Sequence, residues 1–473
     1  MTRKTAGFIA GLAFLLHLPS FLQPFMDLDE SSYAGIACRL LDGGTVYRDA
    51  VENKFPAVFY VYKEVFAVFG RYNMLAIHVC VTVVAIATAL LVAAIAKRYA
   101  GPVAARWAAI FYVVYSASYY PRMLAGNSEM FAVLPAALAV YCYLRGRDRH
   151  WAWMLAAGVA GAFALLCKQV AFATFLALCA DRFFTGRRQP LHALRDLALL
   201  VVGCAAVVAA VVLELRALGV WDDAVFWTWT YVFHYYIPAG DSGTLANIAT
   251  SLLPFLAACS PLVYLAVRGR SRSQSVVYWW LVGNLGAATV GGRMYGHYFL
   301  LFVPALCVLA GIGAEAHLRR WLVAAIAVVG AGTFVAGIVV NGATSSLWSP
   351  TPDYREAAHY VADHTWPDDR IFVWGWFPAL YHAADRCPST RFVYTHIHSG
   401  NSKTGLGHDV PEAWDMLMHD LEAAPPPFVL DTSPGKYTDY DYPPENYPRL
   451  WQFLSAHYEV DRTIEGVRIF RRR

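Results

Sequence analysis

Charge is scarce in this chain. Only 15% of its 473 residues are Asp, Glu, Lys or Arg, where a soluble domain carries about 25%. Hydrophobic residues make up 58%, which excludes a disordered chain and argues against a soluble multidomain enzyme. The net charge of +4 is small, and its basic residues are spread over short segments between apolar runs rather than gathered into a patch, so no nucleic-acid partner is expected. The phosphate-cradling P-loop, the dinucleotide GxGxxG and internal repeats are all missing. The nine cysteines stand singly at 38, 80, 142, 167, 179, 204, 259, 307 and 387, mostly in apolar runs and without CxxC spacing. That pattern reads as buried thiols, not as a zinc site or a disulfide frame.

What is abundant is long apolar sequence. A bilayer core of about 30 Å takes about 20 apolar residues per helix. Eleven stretches qualify, at 6–25, 74–96, 103–120, 129–144, 151–167, 169–181, 196–214, 247–267, 275–291, 296–314 and 320–340. The two halves of 151–181 are short, and charge decides how they are read. With the N-terminus inside, seventeen Lys and Arg fall on short inner segments, from Arg3 and Lys4 through Lys97, Arg98 and Arg106 to Arg319 and Arg320. Every inner loop is basic only if 151–181 crosses twice, so the positive-inside rule selects eleven spans. No small-residue cleavage site follows the first span, which is therefore not read as a signal peptide. Multi-pass insertion makes membrane lipids obligate partners and a cell (inner or plasma) membrane the expected location.

Three outer features follow from this topology: a loop at about 26–73, an aromatic loop at about 215–246, and a tail. The tail is mixed in charge and holds no further span. Tyr354–His364 reads as a helix, while Arg370–Trp374, Pro427–Leu430 and Val467–Phe470 read as strands. The fold class expected is thus an all-α polytopic membrane protein of about eleven helices (1–344) with a small extracytoplasmic α/β domain (345–473).

The outer face carries the chemistry-bearing residues. The run Met26-Asp-Leu-Asp-Glu-Ser-Ser-Tyr33 puts Asp27, Asp29 and Glu30 at the outer end of the first span. A lone acid there would be a solvated helix end. Three together raise one another's pKa unless a cation is near, which is how a general base is made. Lys54, before Pro56, can snorkel to headgroups or bind a phosphate. In Tyr119-Tyr-Pro-Arg-Met-Leu-Ala-Gly-Asn-Ser-Glu-Met-Phe131, Glu129 can answer the helix dipole with Asn127 or Ser128 as cap, or serve as an intramembrane functional acid. Lys168, followed by Gln169, is a cation in an apolar hairpin and calls for an anionic partner. In Gly291-Gly-Arg-Met-Tyr-Gly-His-Tyr298, Arg293 is a planar fork suited to phosphate, with His297 and Tyr298 following. Acids and phosphate-friendly cations on one membrane face suit a lipid-linked phosphate substrate. The rival reading is a multi-pass transporter of an anionic or lipid-linked substrate; against it stand the missing repeats and the long first loop.

The Asp29-Glu30…Tyr33…Ile36-Ala37…Leu40…Gly43…Tyr47-Arg48-Asp49…Lys54-Phe55-Pro56 run resembles the first outer loop of GT-C glycosyltransferases, in particular bacterial relatives of protein O-mannosyltransferases and lipid A aminoarabinose transferases. Asn127-Ser-Glu129, Lys168-Gln169 and Arg293…His297-Tyr298-Phe299…Pro304 are similar to the later motifs of that group. The resemblance covers about 1–315. It implies an inverting integral membrane glycosyltransferase that takes a sugar from a polyprenyl-phosphate donor, on the extracytoplasmic face, to a lipid, glycan or protein acceptor. It implies Asp29 as general base, with Asp27 as a nearby rival, Glu30 and Glu129 as further catalytic acids, and Lys54, Lys168, Arg293 and His297 around the donor phosphate. Asn127, Gln169 and Tyr298 would support them. A divalent metal ion is left open, since some relatives use one and others do not. Where many relatives have Lys-Pro-Pro, this chain has Lys54-Phe55-Pro56.

Overall fold

The computed structural model describes residues 2–118, 122–148, 150–236, 244–343, 354–399, 410–434 and 442–473. Tyr119, Tyr120 and Pro121 of the second outer loop, and the start of the tail at 344–353, lie outside the described residues. The chain divides into two compact units.

The first unit comprises Met1–Leu22, His78–Glu214 and Gly243–Val340. Helix is found at each of the eleven stretches expected to span. Among the described residues, four helices are long and apolar enough to cross a membrane: Arg3–Phe21, Met74–Ser116, Ser128–Asp148 and Pro190–Ala217. A bent pair, Thr244–Ala258 with Ser260–Arg268, adds a fifth, and Ala152–Cys167, Val303–His317 and Arg320–Ala336 are shorter apolar helices. Met74–Ser116 is interrupted where expected. Ala100 leaves helical geometry, Gly101 takes φ 78°, and Pro102 follows, so the run divides into two segments. Apolar side chains such as Phe14, Leu15, Leu90, Val202 and Leu213 face outward, as helices solvated by lipid require. Small residues let helices approach closely: a Cβ on Gly158 would collide with Leu200 O. Lys168 is extended (φ −150°, ψ 122°) and breaks the 151–181 region between Ala152–Cys167 and Phe172–Thr185. At the far end of Phe172–Thr185, buried Asp181 accepts from Tyr143 Oη at 2.6 Å and pairs with Arg147 at 3.3 Å.

The second unit comprises Gln23–Ile77, Leu215–Ser242 and Asn341–Arg473. Its sheet has five strands: β1 (Arg370–Trp374), β2 (Cys387–Pro388), β3 (Phe428–Asp431), β4 (Tyr458–Ile464) and β5 (Val467–Arg472), in the order β2-β1-β3-β5-β4. β1 runs parallel to β2 and β3, and β5 antiparallel to β3 and β4. The buried runs of β1 and β3 follow the expectation, as do the helix Arg355–Asp363 and the last strand β5. β4 alternates weakly and is mostly exposed, so its pattern gave no signal; the Glu465-Gly466 turn, both with positive φ, is what pairs it with β5.

The first outer loop belongs to this unit. It holds the helices Leu28–Leu41 and Ala57–Phe69. Leu28–Leu41 packs close to the chain after β2, where a Cβ on Gly35 would come within 3.2 Å of Val393 Cγ1. Here the structure corrects the reading of the cysteines. Cys38 and Cys387 form a disulfide, with Cα atoms 5.7 Å apart and 349 residues of separation. Spacing along the chain says nothing about a bridge that joins a helix to a distant strand. The seven other cysteines are free thiols.

Candidate active site

Each unit gathers part of the expected residue set, and each part is built by local structure. In the second unit the three acids at 27–30 separate into three roles. Asp27 is the N-cap of Leu28–Leu41, its carboxylate accepting weakly from Asp29 N at 3.5 Å. Glu30 is buried and its Oε2 accepts from Met26 N at 2.5 Å, in the residue before the N-cap. Asp29, on the first helical turn, is left one-third exposed and paired with Lys54 at 3.7 Å. Tyr33, one turn on, donates to Asp29 Oδ2 at 3.2 Å, and Lys54 Nζ lies 5.3 Å from the centre of the Tyr33 ring.

Lys54 is held by a strained turn. Tyr47 has φ 72°, costly for an aromatic residue, yet it is buried and its hydroxyl donates to Lys54 O at 3.0 Å. Pro56 then caps the helix Ala57–Phe69, which fixes the direction in which Lys54 leaves the loop. The side chain of Lys54 is mostly buried and meets a second acid, Glu52, at 3.4 Å. Glu52 is itself buried, and its other oxygen accepts from Tyr394 Oη at 2.8 Å. Burial, then the neighbouring Glu52 carboxylate, hold the Tyr394 phenol well above its usual pKa, so it stays a donor. Sequence reasoning missed both residues. Glu52 stands two positions before Lys54, and an acid so near that cation was the available signal; Tyr394, 342 residues away, offered none.

In the first unit, Ser128–Asp148 begins with three fully buried polar residues, Asn127, Ser128 and Glu129. Asn127 O accepts from Met130 N at 3.0 Å, and Ser128 Oγ donates to Glu129 Oε2 at 3.0 Å. Glu129 Oε1 lies 2.7 Å from Lys168 Nζ. The lysine thus finds the anionic partner that its apolar hairpin called for, and the bend at Lys168 is what delivers it. Lys168 also sits 4.8 Å from the centre of the Tyr298 ring, and the His297 and Tyr298 rings are 4.8 Å apart. His297 is buried and within electrostatic reach of Glu129. Gln169 opens the short turn after Lys168. Arg293 lies half-buried in the loop before His297, where Gly292 has φ 70° and its carbonyl accepts from Asn247 Nδ2 at 3.2 Å.

The structure therefore brings together Asp29 with Lys54, and Glu129 with Lys168, His297 and Tyr298. It puts Asp27 at a helix N-cap and buries Glu30 against Met26 N. Among the described residues, no three His, Cys, Asp or Glu side chains are grouped to hold a metal ion. The three acids at 27–30, the set most suggestive in sequence, point to different partners and do not fit one.

The fold, apolar helices with a small α/β domain, is of the GT-C type. Residues 53–213 match the family described as dolichyl-phosphate-mannose-protein mannosyltransferase. Among solved structures, the chain is similar to ArnT from Cupriavidus metallidurans bound to undecaprenyl phosphate, at 14% identity and TM-score 0.67, over 98% of this chain and 97% of that one. It is also similar to the Archaeoglobus fulgidus oligosaccharyltransferase in the apo form, at 14% identity and TM-score 0.54 over 90% and 69% of the two chains. AglB from the same organism, in complex with an inhibitory peptide and a dolichol-phosphate, gives 12% identity and TM-score 0.54 over 99% and 74%. No curated protein matches the chain.

Proposed function

We propose that the protein is a glycosyltransferase that moves a sugar from a polyprenyl-phosphate donor to an envelope acceptor on the extracytoplasmic face, with inversion at the anomeric carbon. The observation that carries this reading is the Asp29–Lys54 pair. It sets a partly exposed carboxylate, able to take a proton, beside a cation able to meet a phosphate. In the reaction the acceptor oxygen gives its proton to Asp29 and attacks the anomeric carbon. The bond from that carbon to the phosphate oxygen breaks, and the polyprenyl phosphate leaves with the electron pair. Neutralising that phosphate makes it a good leaving group, so no protein nucleophile is needed. Lys54, beside Asp29, is a donor-phosphate candidate, and Lys168, Arg293 and His297 are further candidates proposed from their residue types.

Three findings support the reading. The matched family is described as a dolichyl-phosphate-mannose-protein mannosyltransferase, and two of the similar structures hold undecaprenyl phosphate or a dolichol-phosphate. The Cys38–Cys387 bridge belongs in an oxidising compartment, which agrees with an outer location for the unit that holds Asp29. The seventeen basic residues on inner loops give the same sidedness. Comparison of envelope glycans from cells with and without the gene tests the proposal. Loss of one defined sugar substituent is the expected result; unchanged glycans, with loss of uptake or export of an anionic solute, would favour the transporter.

A further inference from the structure

The Asp29–Lys54–Glu52 cluster ends on Tyr394, and Tyr394 belongs to an aromatic group that the proposed chemistry does not use. Trp376 and Tyr394 are stacked, with ring centres 5.5 Å apart and planes 25° from parallel. His396 stacks on Tyr394 at 4.8 Å and lies 4.6 Å from Trp376. Tyr231 Oη meets His396 Nε2 at 3.3 Å. Tyr394, His396 and Tyr231 are buried, and Trp376 is the member of the group that keeps an accessible surface. All of these residues lie in the second unit with Asp29, and the charge of Asp29 is felt at the Tyr394 phenol.

A partly exposed indole, stacked on Tyr394, packed against His396 and joined through Tyr394 and Glu52 to a lysine–carboxylate pair, has the chemistry of a sugar subsite. The apolar face of a sugar ring stacks on an aromatic plane, while charged groups beside it meet hydroxyls or phosphate. In the proposed reaction the donor always presents a sugar, and its phosphate needs a cation. We propose that Trp376, backed by Tyr394 and His396, is the platform for the donor sugar, with Lys54 toward the phosphate. The inference rests on the proposed glycosyltransferase reading. It assigns a residue of the C-terminal domain to donor recognition.

The test compares ligands that differ only in the sugar. Binding of undecaprenyl phosphate, and of undecaprenyl phosphate carrying mannose, glucose, N-acetylglucosamine or aminoarabinose, is measured on the full-length protein in nanodiscs. The wild type should bind at least one glycosylated probe more tightly than the bare lipid phosphate. Trp376→Ala should weaken that probe by roughly tenfold, the value of one aromatic stack, and leave bare undecaprenyl phosphate unchanged. Trp376→Phe should hold most of the preference. Equal weakening of both ligands would show a merely structural role and overturn the platform. So would a preference untouched by Trp376→Ala, or a wild type that binds all probes alike. A wild type that binds no polyprenyl phosphate at all would instead sink the glycosyltransferase reading, and the platform with it.

Discussion

Cys38 and Cys387 allow a direct count. Of nine cysteines, two form the bridge and seven are free thiols. Denatured protein, alkylated without reductant and weighed by mass spectrometry, should therefore carry seven adducts, and nine after reduction. Cys38→Ser with Cys387→Ser tests what the bridge contributes. Treating the whole separation of 349 residues as a random coil gives about 6 kcal/mol from chain entropy. That is an upper bound, because the long apolar helices between the two cysteines stay helical in the membrane when the second unit unfolds. A loss of about 2–4 kcal/mol, the range measured for most disulfides, is the better expectation. It should appear as a lower melting temperature, read by tryptophan fluorescence in nanodiscs, and reductant should lower the wild type to the same value. Nine adducts without reductant, from protein taken directly from an oxidising compartment, would refute the bridge and remove one support for the sidedness.

The remaining predictions concern the site. Asp29→Asn keeps size and polarity but cannot accept a proton, so transfer should fall by roughly 100-fold or more with donor binding retained. Asp27→Asn keeps a capping oxygen and should cost little of either activity or stability. Glu129→Gln or Lys168→Met alone strands a buried charge and should destabilise by about 3–5 kcal/mol, seen as a lower melting temperature; the double variant should recover most of that stability, and failure to recover would show that the two do not act as a pair. Arg293→Ala should weaken donor use more than acceptor use, with Arg293→Lys rescuing in part because a point charge replaces a bidentate fork; equal effects on both substrates would speak against a donor-side role.

The helices were legible because the membrane leaves few choices. Long apolar runs must be helical, and Ala100-Gly101-Pro102 and Lys168 marked two of their breaks. The need of Lys168 for an anion was legible too, since a cation in an apolar hairpin demands one; which anion was not, and Glu129 answered. Asp27 is a rival to Asp29 in sequence because it lies two positions away; in the structure the helix begins at Leu28, so Asp27 is its N-cap while Asp29 lies on the first turn. The burial of Glu30, with its carboxylate on Met26 N, had no signal in sequence. Contacts across hundreds of residues were beyond reading: Cys38 to Cys387, Val51 N to Arg391 O at 2.9 Å, and Glu52 to Tyr394. Each joins the first loop to β2 or to the segment after it, and none leaves a mark in local periodicity. That segment is what makes the tail part of the unit holding Asp29 rather than a separate appendage.

Sugar transfer by the purified protein tests the central claim most directly. Wild type and Asp29→Asn would be reconstituted in proteoliposomes with an envelope extract and polyprenyl phosphate bearing a radiolabelled sugar. The account predicts that wild type moves label from the lipid phosphate into an acceptor, with inversion at the anomeric carbon and release of polyprenyl phosphate, and that Asp29→Asn binds the donor but leaves the label in place. Label that never leaves any donor, or that moves equally well in Asp29→Asn, would contradict it.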